Sequence, residues 1–173
     1  KNMLNFILWL YPYHNVISRS EIQKIVNDYT GLRIGVLGSH SALEVMDGAK
    51  DEGLETVVFC QKGRETPYQR FSRIADEIMI LKKFNDMSVA KNQKMLRDTN
   101  TIIVPHRSLT AYLGYKTIEN TLKVPIFGNR ALFQAEERNN KKNQYYLLKK
   151  ARIKYPKIFK NPRDINKPAI VKV

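Results

Sequence analysis

Five short apolar runs, each parted from the next by a polar or amphipathic stretch, constrain this chain more than anything else in it. They are residues 32–37 (LRIGVL), 55–60 (ETVVFC), 77–81 (EIMIL), 101–104 (TIIV) and 123–127 (KVPIF). Runs this short, rich in Ile and Val, read as buried strands. Between them lie helical spacings. Ser18 and Glu21 have capping-box spacing, and Ile22, Ile25 and Val26 follow in a helix expected to end near Tyr29. Ala42, Leu43, Val45, Met46 and Ala49 suggest a helix that stops at Gly53. A polar helix is expected over about residues 86–98, and a short one after residue 108. Five alternations of strand and helix mean an α/β fold, with a mainly parallel five-stranded sheet covered by helices on both faces.

The chain has 173 residues, enough for one domain or one domain plus part of another. Residues 1–17 form an extension with an apolar cluster. Residues 18–130 hold the five runs. Residues 131–150 are expected to form a long charged helix. After it the texture changes: Pro156, Pro162 and Pro168 precede an apolar strand, residues 169–173 (AIVKV), the expected opening of a second domain.

Charge is uneven. Residues 1–130 carry 18 basic and 13 acidic residues, whereas 131–173 carry 12 and 3. A nucleic-acid surface would use such an excess by releasing counterions from phosphates. The positives are spread along a helix and a proline-rich connector without a nucleic-acid motif, so they read as a surface property. A single cysteine, Cys60, excludes a disulfide framework and a cysteine-only zinc site, and fits a reducing, cytoplasmic setting. No apolar run approaches the ~20 residues of a membrane span, and no cleavage site marks a signal peptide.

Parallel sheets bind ligands at the carboxyl ends of their strands. Three loops there carry suitable groups: Gly38-Ser39-His40-Ser41, Pro105-His106-Arg107-Ser108 and Gly128-Asn129-Arg130. The first suits a phosphate held at a helix start, with serine hydroxyls and His40 adding hydrogen bonds. It suits equally a helix capped by Ser41 with His40 exposed. Ser108 has the same two readings. The loop over residues 61–71 adds Lys62, Arg64 and Arg70, a phosphate-attracting set or a solvated loop. Cys60 reads as a small buried hydrophobe. No GxSxG elbow is present, and the three histidines lack metal-ligand spacing.

The blocks GSHSALEVMDGAKDEGLETVVFCQKGRETPYQRF, TIIVPHRSLTAYLG, IENTLKVPIFGNR and PKIFKNPRDINKPAIVKV occur in one order over residues 18–173. In these blocks the chain resembles the archaeal formate-dependent formaminoimidazole carboxamide ribonucleotide synthetases, an ATP-grasp family of purine biosynthesis. The resemblance implies a Rossmann-like pre-ATP-grasp domain followed by the start of an ATP-grasp domain. It also implies a ligase that makes formyl phosphate from ATP and formate and formylates aminoimidazole carboxamide ribonucleotide, with magnesium as cofactor and a homo-oligomeric assembly. The family's substrate-binding histidine falls on His40 and its serine on Ser108. Ser39, Ser41, Arg64, Asn129 and Arg130 complete the expected substrate set, and the ATP-site lysine falls on Lys172.

Two departures stand out. The family's loop after the fourth strand reads PHGS; Arg107 here replaces the glycine, which either strengthens phosphate binding or blocks the pocket. The family's glycine-rich ATP loop and magnesium carboxylates lie beyond Val173. Phosphoryl transfer needs such groups to gather charge. The chain by itself is therefore expected to be inactive, as part of a ligase or as a truncated, non-catalytic ribonucleotide-binding or assembly module.

Overall fold

The computed structural model describes residues 16–171. Ile17 is buried, and its N–H donates to Glu119 O at 2.8 Å. The rest of the expected extension, residues 1–15, and Lys172 lie outside the described residues.

Helix α1 (Arg19–Asn27) starts at Ser18, whose hydroxyl accepts from Glu21 N at 3.1 Å. The capping box closes only halfway. Glu21 turns outward to Lys123 Nζ at 2.9 Å, and that hydrogen bond holds its carboxyl below the ordinary value. There follow β1 (Arg33–Leu37), α2 (Ala42–Asp51), β2 (Glu55–Gln61), α3 (Thr66–Arg70), β3 (Glu77–Leu81), α4 (Ala90–Asp98), β4 (Thr101–Ile103), α5 (Arg107–Leu113) and α6 (Tyr115–Asn120). The expected loop over residues 61–71 thus contains a five-residue helix, started by Pro67 in its first turn. The helix expected from residue 86 begins as a 3₁₀ turn, Phe84–Ser88, and breaks at the extended Val89 before α4.

The sheet is parallel with strand order β3-β2-β1-β4. Among the described residues four strands form the sheet where five were expected. At residues 123–127 the chain makes a single parallel bridge, Ile103 to Ile126. Ile103 N donates to Pro125 O at 2.9 Å and Phe127 N to Ile103 O at 2.8 Å. Pro125 brings no N–H, so the ladder cannot extend through it.

Alternation along the strands feeds two core layers. Val36, Val58 and Cys60 pack with Ala42 and Met46 of α2, Tyr68 of α3, and Ile74. Leu37, Val57 and Phe59 point the other way, to Phe84, Met87, Leu96, Leu109, Leu113, Ile118 and Leu122. Gly35 is required by this closeness, because a Cβ there would lie 2.5 Å from a methyl of Thr101. At the strands' amino ends Arg33 binds Glu55 and Glu77, each at 2.7 Å.

The chain divides into two compact units between Phe133 and Gln134. The second contains α7 (Gln144–Lys150), and no helix runs over 131–150 as expected. Asparagine side chains compete with the helix there. Asn140 Oδ1 accepts from Lys142 N at 2.9 Å, and Asn143 Oδ1 accepts from Tyr145 N and Tyr146 N at 3.0 and 3.2 Å, starting α7 afresh. Tyr155 packs edge-on to Tyr145, ring centroids 5.6 Å apart. Residues 169–171 form no strand, against the expectation of an opening strand there. Among the described residues no helix is long and apolar enough to cross a membrane.

Candidate functional site

β1 has its sequence neighbour β2 on one side and β4 on the other, so the chain's winding reverses between β1 and β4. Loops leaving these two strands part to opposite faces and open a crevice at their carboxyl ends. The first is Gly38–Ser41. Gly38 N donates to Phe59 O at 2.7 Å, and a Cβ on Gly38 would press within 3.0 Å of Phe59 O and of the Tyr68 ring. Only glycine lets the loop turn this close to β2 and α3. The second loop is 104–106, anchored by Val104 N on Gly35 O at 2.8 Å.

The two loops are joined across the crevice. Ser108 Oγ donates to Ser39 Oγ at 3.1 Å. His106 Nε2 lies 2.8 Å from Leu37 O, and Ser108 N lies 3.3 Å from His106 Nδ1. A carbonyl only accepts and an amide N–H only donates, so the tautomer with its proton on Nε2 satisfies both contacts. His106, and not Ser108, is the N-cap of α5. This leaves the Ser108 hydroxyl for the crevice.

Ser41 stands at the N-cap position of α2 but makes no side-chain cap bond. Its hydroxyl instead meets exposed His40, Nδ1 to Oγ 3.0 Å. The capping reading of both serines therefore fails, for one physical reason: their hydroxyls are engaged sideways, by Ser39 and His40. Ala42 N donates to Ser39 O at 2.8 Å, and among the described residues Ser41 puts no side chain on the N–H groups that follow, the arrangement that favours an anion.

Arg64, from the loop after β2, donates to Tyr112 Oη on α5 at 3.1 Å, and its guanidinium lies 5.8 Å from the Phe84 ring centroid. Phe84 and Tyr112 rings lie 4.5 Å apart. The cation is thus held over a small aromatic shelf, close to the helix that carries Ser108. Arg107 donates to Tyr115 Oη at 3.0 Å.

The third loop behaves differently. Asn129 Oδ1 accepts from Ala131 N at 3.0 Å, within its own turn. Arg130 is buried, and its guanidinium donates to Ile118 O, Leu122 O and Val124 O at 2.8, 2.7 and 2.8 Å. Burial pushes its pKa down to about 10, opposed by the charge of Glu21. We assign Arg130 to holding the loop and the end of α6, in place of the substrate contact expected from sequence.

Neither Cys60 nor Tyr68 offers a nucleophile. Burial first, and the charge of Glu65 second, push the Cys60 thiol up to about 11. Burial likewise pushes the Tyr68 phenol up to about 12. Among the described residues no three His, Cys, Asp or Glu side chains gather to hold a metal ion. Sequence reasoning missed His106 as the link between the loops and Tyr112 as the partner of Arg64. The signal for both was their place after β4, in PHRS and one turn into α5.

Residues 34–159 match the family described as protein of unknown function (DUF1246), and the chain belongs to that family. The chain is 46% identical over 159 residues to a 5-formaminoimidazole-4-carboxamide-1-(beta)-D-ribofuranosyl 5'-monophosphate synthetase of Methanopyrus kandleri. That match covers 91% of the chain and 44% of the relative. Synthetases of the same name from Methanothermobacter thermautotrophicus and Methanobrevibacter smithii are 41% and 39% identical over 158 residues, each match covering 90% of the chain and 43% of the relative. The chain thus spans less than half the length of these curated relatives. The crystal structure of an IMP biosynthesis protein PurP from Thermococcus kodakaraensis superposes with a TM-score of 0.57 at 27% identity, over 77% of this chain and 41% of that one.

Proposed function

We propose that the chain is the N-terminal, substrate-holding part of an ATP- and formate-dependent ligase that formylates aminoimidazole carboxamide ribonucleotide on the way to IMP. The Ser108–Ser39 hydrogen bond carries this reading. It joins two loops across the switch point of a parallel sheet, where such folds hold nucleotides, and the relatives matched bear the name of that synthetase. In this reading the α2 start and Arg64 take the phosphate, Ser39, Ser41 and Ser108 the ribose, and His40 the base or its substituents. Asn129 stands at the margin of the set. ATP, magnesium, formate, a homo-oligomeric assembly and a cytoplasmic setting belong to the whole ligase. An ATP-grasp domain, with Lys172 facing ATP, belongs to it too.

Titration of aminoimidazole carboxamide ribonucleotide against the chain, His40→Ala and Ser108→Ala tests the site. Each substitution is expected to weaken binding by about tenfold, as loss of a hydrogen bond worth about 1.5 kcal/mol does. Equal affinity in all three proteins overturns the assignment. The chain alone is expected to release no ADP from ATP and formate; formate-dependent release would refute its incompleteness.

A further inference from the structure

One carboxylate oxygen in the loop after β2 has no counterpart. Glu65 Oε2 is closed off from solvent, and among the described residues it has no hydrogen-bond partner. Folded proteins rarely keep a buried acceptor unpaired, and a carboxylate oxygen least of all.

Contacts on either side fix where Glu65 stands. Tyr68 N and Gln69 N donate to Glu65 O at 3.0 and 3.1 Å, so Glu65 opens the turn that becomes α3. Tyr68, one turn on, is the ring that lies against Gly38. Arg64, one residue back, reaches across to Tyr112 of α5, one turn beyond Ser108. Glu65 thus stands in the chain between a residue bonded to α5 and one packed on the Gly38–Ser41 loop, the two elements whose serines meet. The cation beside it in sequence does not serve it: Arg64 gives its NH1 to Tyr112 and its face to Phe84. The nearby thiol of Cys60 lies 3.7 Å from Gln61 O.

We propose that Glu65 is a specificity residue, its Oε2 accepting an N–H of the ligand, from an amine or a carboxamide on a small heterocycle. The proposal rests on the ribonucleotide reading of the same crevice. A carboxylate only accepts, so it welcomes a nitrogen donor and repels an oxyanion in the same place. The hydroxyls of Ser39, Ser41 and Ser108 donate or accept as required and cannot make that distinction. Glu65 supplies it.

The test compares the chain with Glu65→Gln, using two probes. One is aminoimidazole carboxamide ribonucleotide; the other is its analogue with a carboxylate in place of the carboxamide. The chain is expected to prefer the carboxamide by about tenfold or more, and Glu65→Gln to lose that preference, since a glutamine can donate to the carboxylate. Without ligand, Glu65→Gln is expected to melt at the same temperature or higher, because it removes an unpaired charge. An unchanged preference, or a lower melting temperature for Glu65→Gln, overturns the proposal. If carboxamide binding falls in Ser108→Ala but the preference survives in Glu65→Gln, the role of Glu65 fails alone. If the chain binds neither probe, the ribonucleotide reading fails and this proposal with it.

Discussion

The two units use similar residues to opposite effect. In the first, Phe59, Leu37 and Ile103 are all but inaccessible, because strand alternation and two helical layers enclose them. In the second, Ile153, Ile158, Ile170 and Val171 are 55%, 57%, 86% and 81% exposed. An apolar side chain stabilises only through the area it withdraws from water. Among the described residues the same isoleucine therefore stabilises one unit and adds little to the other. Burial, not hydrophobicity, separates them.

The contrast breaks first under truncation. Phe59→Ala is expected to cost about 3–5 kcal/mol in denaturant unfolding, whereas Ile158→Ala should stay within about 0.5 kcal/mol. Equal losses would erase the distinction. Next comes Arg130→Ala, expected to cost about 3 kcal/mol because it strands buried carbonyls, against almost nothing for exposed Arg152→Ala. A small loss at Arg130 would mean that water replaces the guanidinium.

A smaller effect sharpens the comparison through pH. Burial works against the Asp76 charge, but hydrogen bonds from Lys50 and from Thr56 N and Oγ1 outweigh it and leave the carboxyl below its ordinary 3.8. A depressed carboxylate stabilises the fold above its unfolded pKa, and that stability is lost as pH falls through the folded value. Asp76→Asn should flatten the acid limb of a stability–pH curve; an unaltered limb would assign acid sensitivity elsewhere.

The smallest test compares two caps. Ser18→Ala should cost about 1 kcal/mol of global stability. Asn143→Ala, which caps a helix of the second unit, should speed amide exchange in α7 without moving the main transition. A shift in that transition would show that α7 supports the sheet unit.

Sequence conveyed the strands well because buried parallel strands need apolar runs and these carry little else. It failed where side chains outbid the backbone. Pro125 reads as part of an apolar run, yet its missing N–H reduces the fifth strand to one bridge. Asn140 and Asn143 sit in a helix-like charged stretch, yet their amides start a new turn. In the site, the serine loops were legible from their place after strands. Which hydroxyl caps and which faces the crevice was not, because that turns on His106 reaching Leu37 O, 69 residues away in sequence. Arg130 looked like a ligand residue for the same reason: sequence shows a cation after a strand but not the three carbonyls waiting for it.

The His106 bridge also has a kinetic meaning. Its Nδ1 is fixed within its own turn and its Nε2 meets Leu37 O, so, with the Ser108–Ser39 hydrogen bond, neither loop of the crevice moves outward without breaking bonds to the other side. The loops then share one state before any ligand arrives. Association should rise linearly with ligand concentration and show no slow, saturating phase, the signature of a receptor that waits ready instead of rearranging after contact.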